Sequence, residues 1–208
     1  MEHKIVVAGI GPGHPQYILP AAREAIASAK VLAGGSRALA EFAHAGQKTA
    51  RITGDMVGIL RFLQEALEQD DVVVMVSGDP GYFSFLEVLR REFSPDRLVV
   101  IPGISSLQFA FARLALPWQS ARLLSLHGRS PQVRTLAYVP DALLGILTDT
   151  KYTSRTVAVL LQENGWPGNA EMFICSRLSY EDEQIVATTL SEAVHQASYK
   201  NCVLVVRA

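Results

Sequence analysis

Residues 72–93 read VVVMVSGDPGYFSFLEVLRREF. Val72 to Val76 form an unbroken apolar run, short and rich in β-branched side chains. Such a run predicts a strand buried on both faces. It gives way at once to Ser77-Gly78-Asp79-Pro80-Gly81, a tight loop. Helical spacing then returns over Tyr82–Phe93, with Phe85, Val88, Leu89 and Phe93 on one side. The stretch is therefore strand, sharp loop, helix. In open α/β sheets small ligands sit beyond the carboxyl ends of such strands. Asp79 offers a carboxylate there, and the two glycines let the backbone approach a ligand closely.

Working outward, the same unit repeats. Ile5–Ala8 predicts a short buried strand, Gly9-Ile10-Gly11-Pro12-Gly13 a glycine-rich turn, and Leu19–Ala29 a helix with Pro20 in its first turn. Val31–Ala33 is a second strand, Arg37–Ala43 a short helix and Thr49–Ile52 a weak strand. Asp55 suits the cap of a helix reaching about Gln69, with Val57, Leu60, Leu63 and Leu67 as its apolar stripe. Leu98–Ile101 is a further strand, followed by Pro102-Gly103-Ile104-Ser105-Ser106 and a helix to about Leu114. Strand and helix in alternation predict a parallel sheet with helices on its faces.

Ala115–Gln119 interrupts the pattern, so the expected domains are residues 1–117 and 118–208. Beyond it, Arg122–Leu126 and Leu143–Leu147 predict strands, with helices near Pro131–Val139 and Thr153–Glu163. The last helix stops at Asn164-Gly165. Glu171–Ser176, Gln184–Thr188 and Asn201–Val206 are strands with shorter connections. The link between the first two of these is too short for a parallel crossover, so that pair is expected to be antiparallel. The fold class is α/β, with two α/β domains, the first largely parallel and the second mixed.

Composition narrows the function. Hydrophobic residues make up 49% and charged residues 19%, enough for a sizeable core and too apolar for disorder. The net charge of −1 provides no broad basic field, which argues against a nucleic-acid partner. Cys175 and Cys202 each lie inside an apolar run and read as buried thiols of a reducing cytoplasm. The five histidines are scattered, and no metal site is expected. Met1-Glu2-His3-Lys4 leads straight into a strand, without the pattern of a signal peptide. No apolar run approaches the ~20 residues that span a bilayer.

The loops carry the chemistry. In Gly9–Gly13 the sixth fingerprint position is His14, and no acid follows about 20 residues on, so NAD and FAD are disfavoured. No GK[ST] follows any glycine run, which excludes a P-loop. Ser77–Gly81 is the stronger signal. An Asp beside main-chain N–H groups suits a ribose or a sulfonium-bearing nucleoside better than a polyphosphate; the plain alternative is a helix cap. Ser105 and Ser106 also read as a cap, yet their loop is expected to neighbour the GDP loop on an adjacent strand and to wall the same crevice. His127-Gly128-Arg129 and Thr148-Asp149 end the first strands of the second half. Arg129 suits an anionic ligand. Tyr180-Glu181-Asp182-Glu183 reads as a solvated hairpin tip.

GIGPG at Gly9–Gly13, SGDPGYFS at Ser77–Ser84 and PGISS at Pro102–Ser106 together resemble the tetrapyrrole methylases, the class III S-adenosylmethionine-dependent methyltransferases. The resemblance covers essentially the whole chain. LHGRS at Leu126–Ser130, LTD at Leu147–Asp149 and ENGW…SRLSYEDEQI look like the branch that methylates carbon 5 of (cobalt-)precorrin-7, or the corresponding precorrin-6 intermediate, in cobalamin synthesis. The resemblance implies an active-site cleft between two α/β domains, a homodimer, and S-adenosyl-L-methionine held largely by main-chain atoms. By position its contacts are Pro12, Gly78, Asp79, Tyr82, Ser105 and Ser106, then Thr148 or Asp149 and a group near Leu178. Gly11 and Gly13 border the corrinoid substrate, Arg129 binds it, and His127 is the candidate base. Ser77 departs from a glycine common in relatives. Methylation at carbon 15 belongs to a separate domain of such systems, so only the carbon 5 reaction is assigned here, and whether a separate carbon 15 methyltransferase/decarboxylase partner docks is left open by the sequence. The rivals are another acceptor within the family (a different precorrin carbon, uroporphyrinogen, diphthamide or ribosomal RNA) and a binding module without turnover.

Overall fold

A computed structural model describes residues 2–128 and 133–208. The chain divides into two compact units, Met1–Ser105 and Ser106–Ala208.

The first unit holds strands β1 (Ile5–Gly9), β2 (Val31–Gly34), β3 (Lys48–Arg51), β4 (Val72–Val76) and β5 (Leu98–Ile101). They form one parallel sheet in the order β3-β2-β4-β1-β5. Every residue of β4 is buried, as its unbroken apolar run requires. Helices α1 (Pro20–Ser28) and α2 (Ser36–Phe42) cover one face. There Ala22, Ile26 and Ala38 pack with Leu32, Val73 and Met75. Helices α3 (Met56–Ala66) and α4 (Leu86–Glu92) cover the other. There Ile59, Leu63 and Leu89 pack with Val7, Val72 and Val74.

Three expectations need correcting here. β5 does not neighbour β4, because β1 lies between them. The chain order of strands does not state their order in space. The apolar side of α3 is Ile59, Leu63, Ala66 and Leu67, while Val57 is 69% exposed. Asp55 does cap this helix, accepting from the N–H of Gly58 at 2.9 Å. Finally, α4 starts at Leu86 rather than Tyr82. Phe83 takes a left-handed φ of 48°, and the Ser84 hydroxyl accepts from Leu86 N–H, so residues 81–85 belong to the loop.

The second unit starts with α5 (Ser106–Arg113) and holds β6 (Arg122–Ser125), α6 (Val133–Leu136), β7 (Leu143–Leu147), α7 (Ser154–Glu163), β8 (Glu171–Ser176), β9 (Gln184–Thr189), α8 (Leu190–Ala193) and β10 (Val203–Arg207). The sheet order is β6-β7-β10-β8-β9. Only β6 and β7 pair in parallel; β7–β10, β10–β8 and β8–β9 are antiparallel. This is the mixed sheet expected. Residues 131 and 132, where the sequence starts a helix, lie outside the described residues. Thr153 caps α7 through a reciprocal box with Thr156. Trp166 is buried and its indole N–H donates to the Leu136 carbonyl at 2.7 Å, so its polar end is satisfied.

The composition shift sits at Ala115–Gln119, whereas the division by packing falls between Ser105 and Ser106. Leu107 and Phe111 account for the difference. They reach Gly145 of β7, where a Cβ would meet both side chains at 2.9 Å. That lack of a side chain seats α5 on the second sheet.

Candidate functional site

Three loops meet at the carboxyl end of the first sheet. The chain leaves β1 toward the α1 face and leaves β4 toward the α4 face. A crevice opens where neighbouring strands send their connections apart, and ligands of open sheets bind there. Ile10 N–H donates to Val76 O at 2.9 Å. Beyond it, Gly11 and Gly78 exchange both main-chain hydrogen bonds, at 3.3 and 2.8 Å. Gly78 does this at φ +69°, a conformation that costs other residues about 1–2 kcal/mol.

The third loop closes on the same point from the far side of β1. A Cβ on Gly103 would lie 2.2 Å from Gly78 O, and one on Gly9 would lie 2.7 Å from Gly103 N. Backbones from three loops touch here with no room for side chains. Asp79 then ties them together. Its Oδ1 accepts from Gly81 N–H at 2.8 Å and its Oδ2 from Gly103 N–H at 3.0 Å. The two loops expected to share a crevice are thus joined directly, although their strands are not adjacent.

Gly11 and Gly13 are buried and Pro12 half-buried. Arg37, which the sequence did not single out, donates to Gly13 O at 3.2 Å and reaches Ser77 Oγ at 3.5 Å. It braces the first two loops. Ser105 is 8% exposed and directly precedes α5, which Ser106 opens. The Tyr82 hydroxyl is buried with no hydrogen-bond partner, and burial pushes its pKa up to about 12. This phenol stays protonated and has a hydrogen bond to give.

In the second unit, the parallel pair β6 and β7 ends in a comparable loop pair. Leu126 N–H donates to Leu147 O at 2.9 Å. Asp149 then repeats the arrangement of Asp79. Its Oδ1 accepts from Lys151 N–H and Tyr152 N–H at 2.7 and 2.6 Å, and its Oδ2 from Gly128 N–H at 3.0 Å. The N–H groups of Tyr152 and Gly128 hold this carboxyl below its ordinary pKa, with a smaller contribution from His127. The Thr148 hydroxyl is spent as well, donating to Cys202 O at 2.7 Å and accepting from Cys202 N–H at 2.8 Å. His127 is exposed, and its Nδ1 lies 3.3 Å from Thr148 O. A carbonyl only accepts, so in the neutral ring Nδ1 carries the proton and Nε2 has the free lone pair. Arg129 lies outside the described residues.

Leu178 is 5% exposed and sits between Arg177 and Ser179, at φ 53° and 72°. Two left-handed residues in three mark a backbone held in a costly shape. The acidic tip holds that shape. Glu183 accepts from Ser179 N–H at 2.6 Å and pairs with Arg113 of α5 at 2.7 Å. Asp182 pairs with Arg177. Glu183 is therefore a strut rather than a solvated charge, its side chain only 18% exposed. Both cysteines are free thiols and buried, and burial raises Cys175 to about 12 and Cys202 upward, so neither is a thiolate nucleophile near neutral pH. Among the described residues, no three His, Cys, Asp or Glu stand together in a way that holds a metal.

Sequence reasoning missed Ser125, the last residue of β6, reading it only as strand. Its hydroxyl oxygen is buried without a hydrogen-bond partner. No local motif marks it, since its burial depends on how the sheet is covered.

Comparison with known proteins fits this geometry. The family model for tetrapyrrole (corrin/porphyrin) methylases matches residues 4–194. A cobalt-precorrin-7 C(5)-methyltransferase of Salmonella typhimurium is 32% identical over 181 residues, 87% of this chain and 88% of that protein. Among solved structures, the methyltransferase CobJ superposes with a TM-score of 0.82 at 21% identity, covering 98% of this chain and 93% of that one. The uroporphyrin-III C-methyl transferase of Thermus thermophilus complexed with S-adenyl homocysteine gives 0.76 at 22% identity, covering 98% and 91%.

Proposed function

Because the chain belongs to the family of tetrapyrrole (corrin/porphyrin) methylases, we propose that it transfers a methyl group from S-adenosylmethionine to carbon 5 of a precorrin-7-type corrinoid in cobalamin synthesis. The observation that carries this is the 32% identity, over 87% of the chain, to a cobalt-precorrin-7 C(5)-methyltransferase. The three-loop junction at the carboxyl end of the first sheet supports it. A buried phenol with no partner at that end, on Tyr82, fits a polar ligand there.

When bound, S-adenosylmethionine supplies a methyl carbon on a positively charged sulfur, which an electron-rich ring carbon can displace in line. The chain's contribution is then mostly alignment, which supplies several kcal/mol when reacting atoms are held ~3–3.5 Å apart. Pro12, Gly78, Tyr82, Ser105 and Ser106, with the main chain around Asp79, Thr148, Asp149 and Leu178, would hold the donor. Gly11 and Gly13 would border the corrinoid, and Arg129 would meet one of its carboxylates. His127 would take the proton released from the ring at Nε2, the nitrogen that its contact with Thr148 leaves free.

A cytoplasmic location, a homodimer and a separate carbon 15 methylating partner complete the reading. Two buried free thiols support a reducing compartment, and no helix of the described residues is long and apolar enough to cross a membrane. Val99 and Val100 of the edge strand β5 are 45% and 44% exposed, apolar surface open to a second copy.

The test is transfer of isotopically labelled methyl to purified precorrin-7, with and without cobalt, followed by mass spectrometry. Product carrying the label at carbon 5 is the expected result. Donor binding without any labelled corrinoid would exclude this acceptor.

A further inference from the structure

Among the described residues, two buried side-chain polar atoms have no hydrogen-bond partner: the Tyr82 hydroxyl and the Ser125 hydroxyl. Buried polar groups in folded proteins are almost always paired, so each exception calls for a cause. The two do not fall at random. Tyr82 lies in the loop that follows β4, and Ser125 is the last residue of β6. Both are at carboxyl ends of parallel strands, one in each unit.

The face on which Ser125 lies follows from the strand's alternation. Leu124 and Leu126 pack into the core beneath α7, so Leu123 and Ser125 point to the opposite face. Leu123 meets the space over Gly145 that Leu107 and Phe111 of α5 also fill. The hydroxyl of Ser125 thus lies on the side of the sheet opposite α7, and its oxygen is buried.

The neighbouring groups that look better suited to a ligand are engaged. Each oxygen of Asp79 and of Asp149 accepts at least one main-chain N–H, one oxygen from its own loop and the other from a neighbouring loop. Thr148 is held by both polar atoms of the Cys202 main chain. These three side chains shape the loops, whereas the buried hydroxyls of Tyr82 and Ser125 keep a hydrogen bond to give.

We propose that the hydroxyls of Tyr82 and Ser125 are direct ligand contacts, each donating a hydrogen bond to an oxygen acceptor such as a carboxylate. The inference rests on the function proposed above. Such an acceptor is present at the amino-acid end of the methyl donor and on the acidic arms of a corrinoid. Asp79, Thr148 and Asp149 are positioning residues that act through the backbone.

The experiment compares Tyr82→Phe and Ser125→Ala with the wild-type chain by calorimetric titration with S-adenosylhomocysteine and, separately, with the corrinoid substrate. Each variant should weaken one of the two ligands about five- to tenfold, the loss of about one hydrogen bond, and the ligand affected identifies the source of the acceptor. The free variants should melt at or above the wild-type temperature, because each removes a polar atom that the free protein leaves unpaired. A lowered melting temperature in the free variants would mean that the hydroxyls have structural partners, and would overturn the proposal. So would wild-type affinity for both ligands in both variants. A wild-type chain that binds neither ligand would overturn the proposed function, and this inference with it.

Discussion

The carboxylate of Asp79 accepts a hydrogen bond from the main-chain N–H of Gly103 at 3.0 Å, joining loops whose strands are separated by β1. The same group accepts from Gly81 N–H at 2.8 Å. One side chain therefore fixes both the internal turn of the GDP loop and its distance from the next loop. This makes Asp79 an organiser of backbone, and it explains why an acid belongs at that point even where a ligand touches only main-chain atoms.

Asp79→Ala should lower stability by about 2 kcal/mol, since hydrogen bonds to a charged acceptor contribute roughly 1.5–3 kcal/mol each and this acceptor is half-buried. In a chain of this size that is a fall in melting temperature of about 4–8 °C. Affinity for S-adenosylhomocysteine should fall about tenfold, because the loops that would hold it lose their spacing. Asp79→Asn retains one acceptor oxygen and should fall between the two. Thermal unfolding and calorimetry on the three proteins check this. Unchanged melting with lost affinity would instead make Asp79 a direct contact.

Gly103→Ala tests the close approach itself. Its new methyl group would sit 2.2 Å from the Gly78 carbonyl oxygen, a main-chain atom that cannot swing away. The loops would have to separate, at a cost of about 3 kcal/mol. Gly46→Ala is the control. It also takes a positive φ, +92°, but has nothing within 4 Å of a new Cβ. The expected outcome is a melting temperature for Gly103→Ala well below that of Gly46→Ala. Equal values would show that the loops are not packed as described.

Much of this architecture is legible in the residues, and what is not has a physical reason. β4, β7 and β8 stand within the residues that their apolar runs define, because period and turn signals are local. The cap at Asp55 and the stop at Asn164 are likewise local chemistry. Val57 was misplaced because several apolar residues of α3 offer two overlapping stripes, and only the sheet decides which is buried. The position of β1 between β4 and β5 is a long-range fact that no spacing encodes. At the site, the glycine loops announce themselves, but the partners of Asp79, Thr148 and Asp149 do not. A carboxylate that binds a ligand and one that clasps a loop have the same spelling. Ser125 is harder still, since its significance lies in the absence of a partner.

Asp149 makes the stability of the second unit pH-dependent. Its folded pKa lies below the ordinary value because the N–H groups of Tyr152 and Gly128 favour the charged form. The native state therefore holds the carboxylate more strongly than the unfolded chain does. That contribution is fully present above the ordinary carboxylate value of about 3.9 and is lost as pH falls through the lower folded value. Asp149→Asn should melt below wild type by a constant margin from pH 8 to pH 5. The margin should shrink below about pH 4. A margin that stays constant into acid would show that the charge plays no part.

His127 stands two residues beyond the strand end, with Nδ1 facing Thr148 O at 3.3 Å, and this contact decides what the ring can do. The neutral ring must place its proton on Nδ1, which leaves Nε2 as an acceptor in the orientation that the carbonyl sets. A base acting in the rate-limiting step contributes roughly 10²–10⁴-fold. His127→Gln should therefore reduce turnover of labelled methyl by at least ~100-fold under saturating substrate. Its affinity for S-adenosylhomocysteine should remain that of the wild type, because the ring is assigned to the acceptor's proton and not to the donor. Its melting temperature should be little changed, since the ring is exposed and makes one long contact. Single-turnover rates separate the two ways this assignment can fail. Full activity in the variant would mean that the ring proton leaves to solvent or to another group, and a parallel loss of donor affinity would mean that His127 shapes the donor site instead.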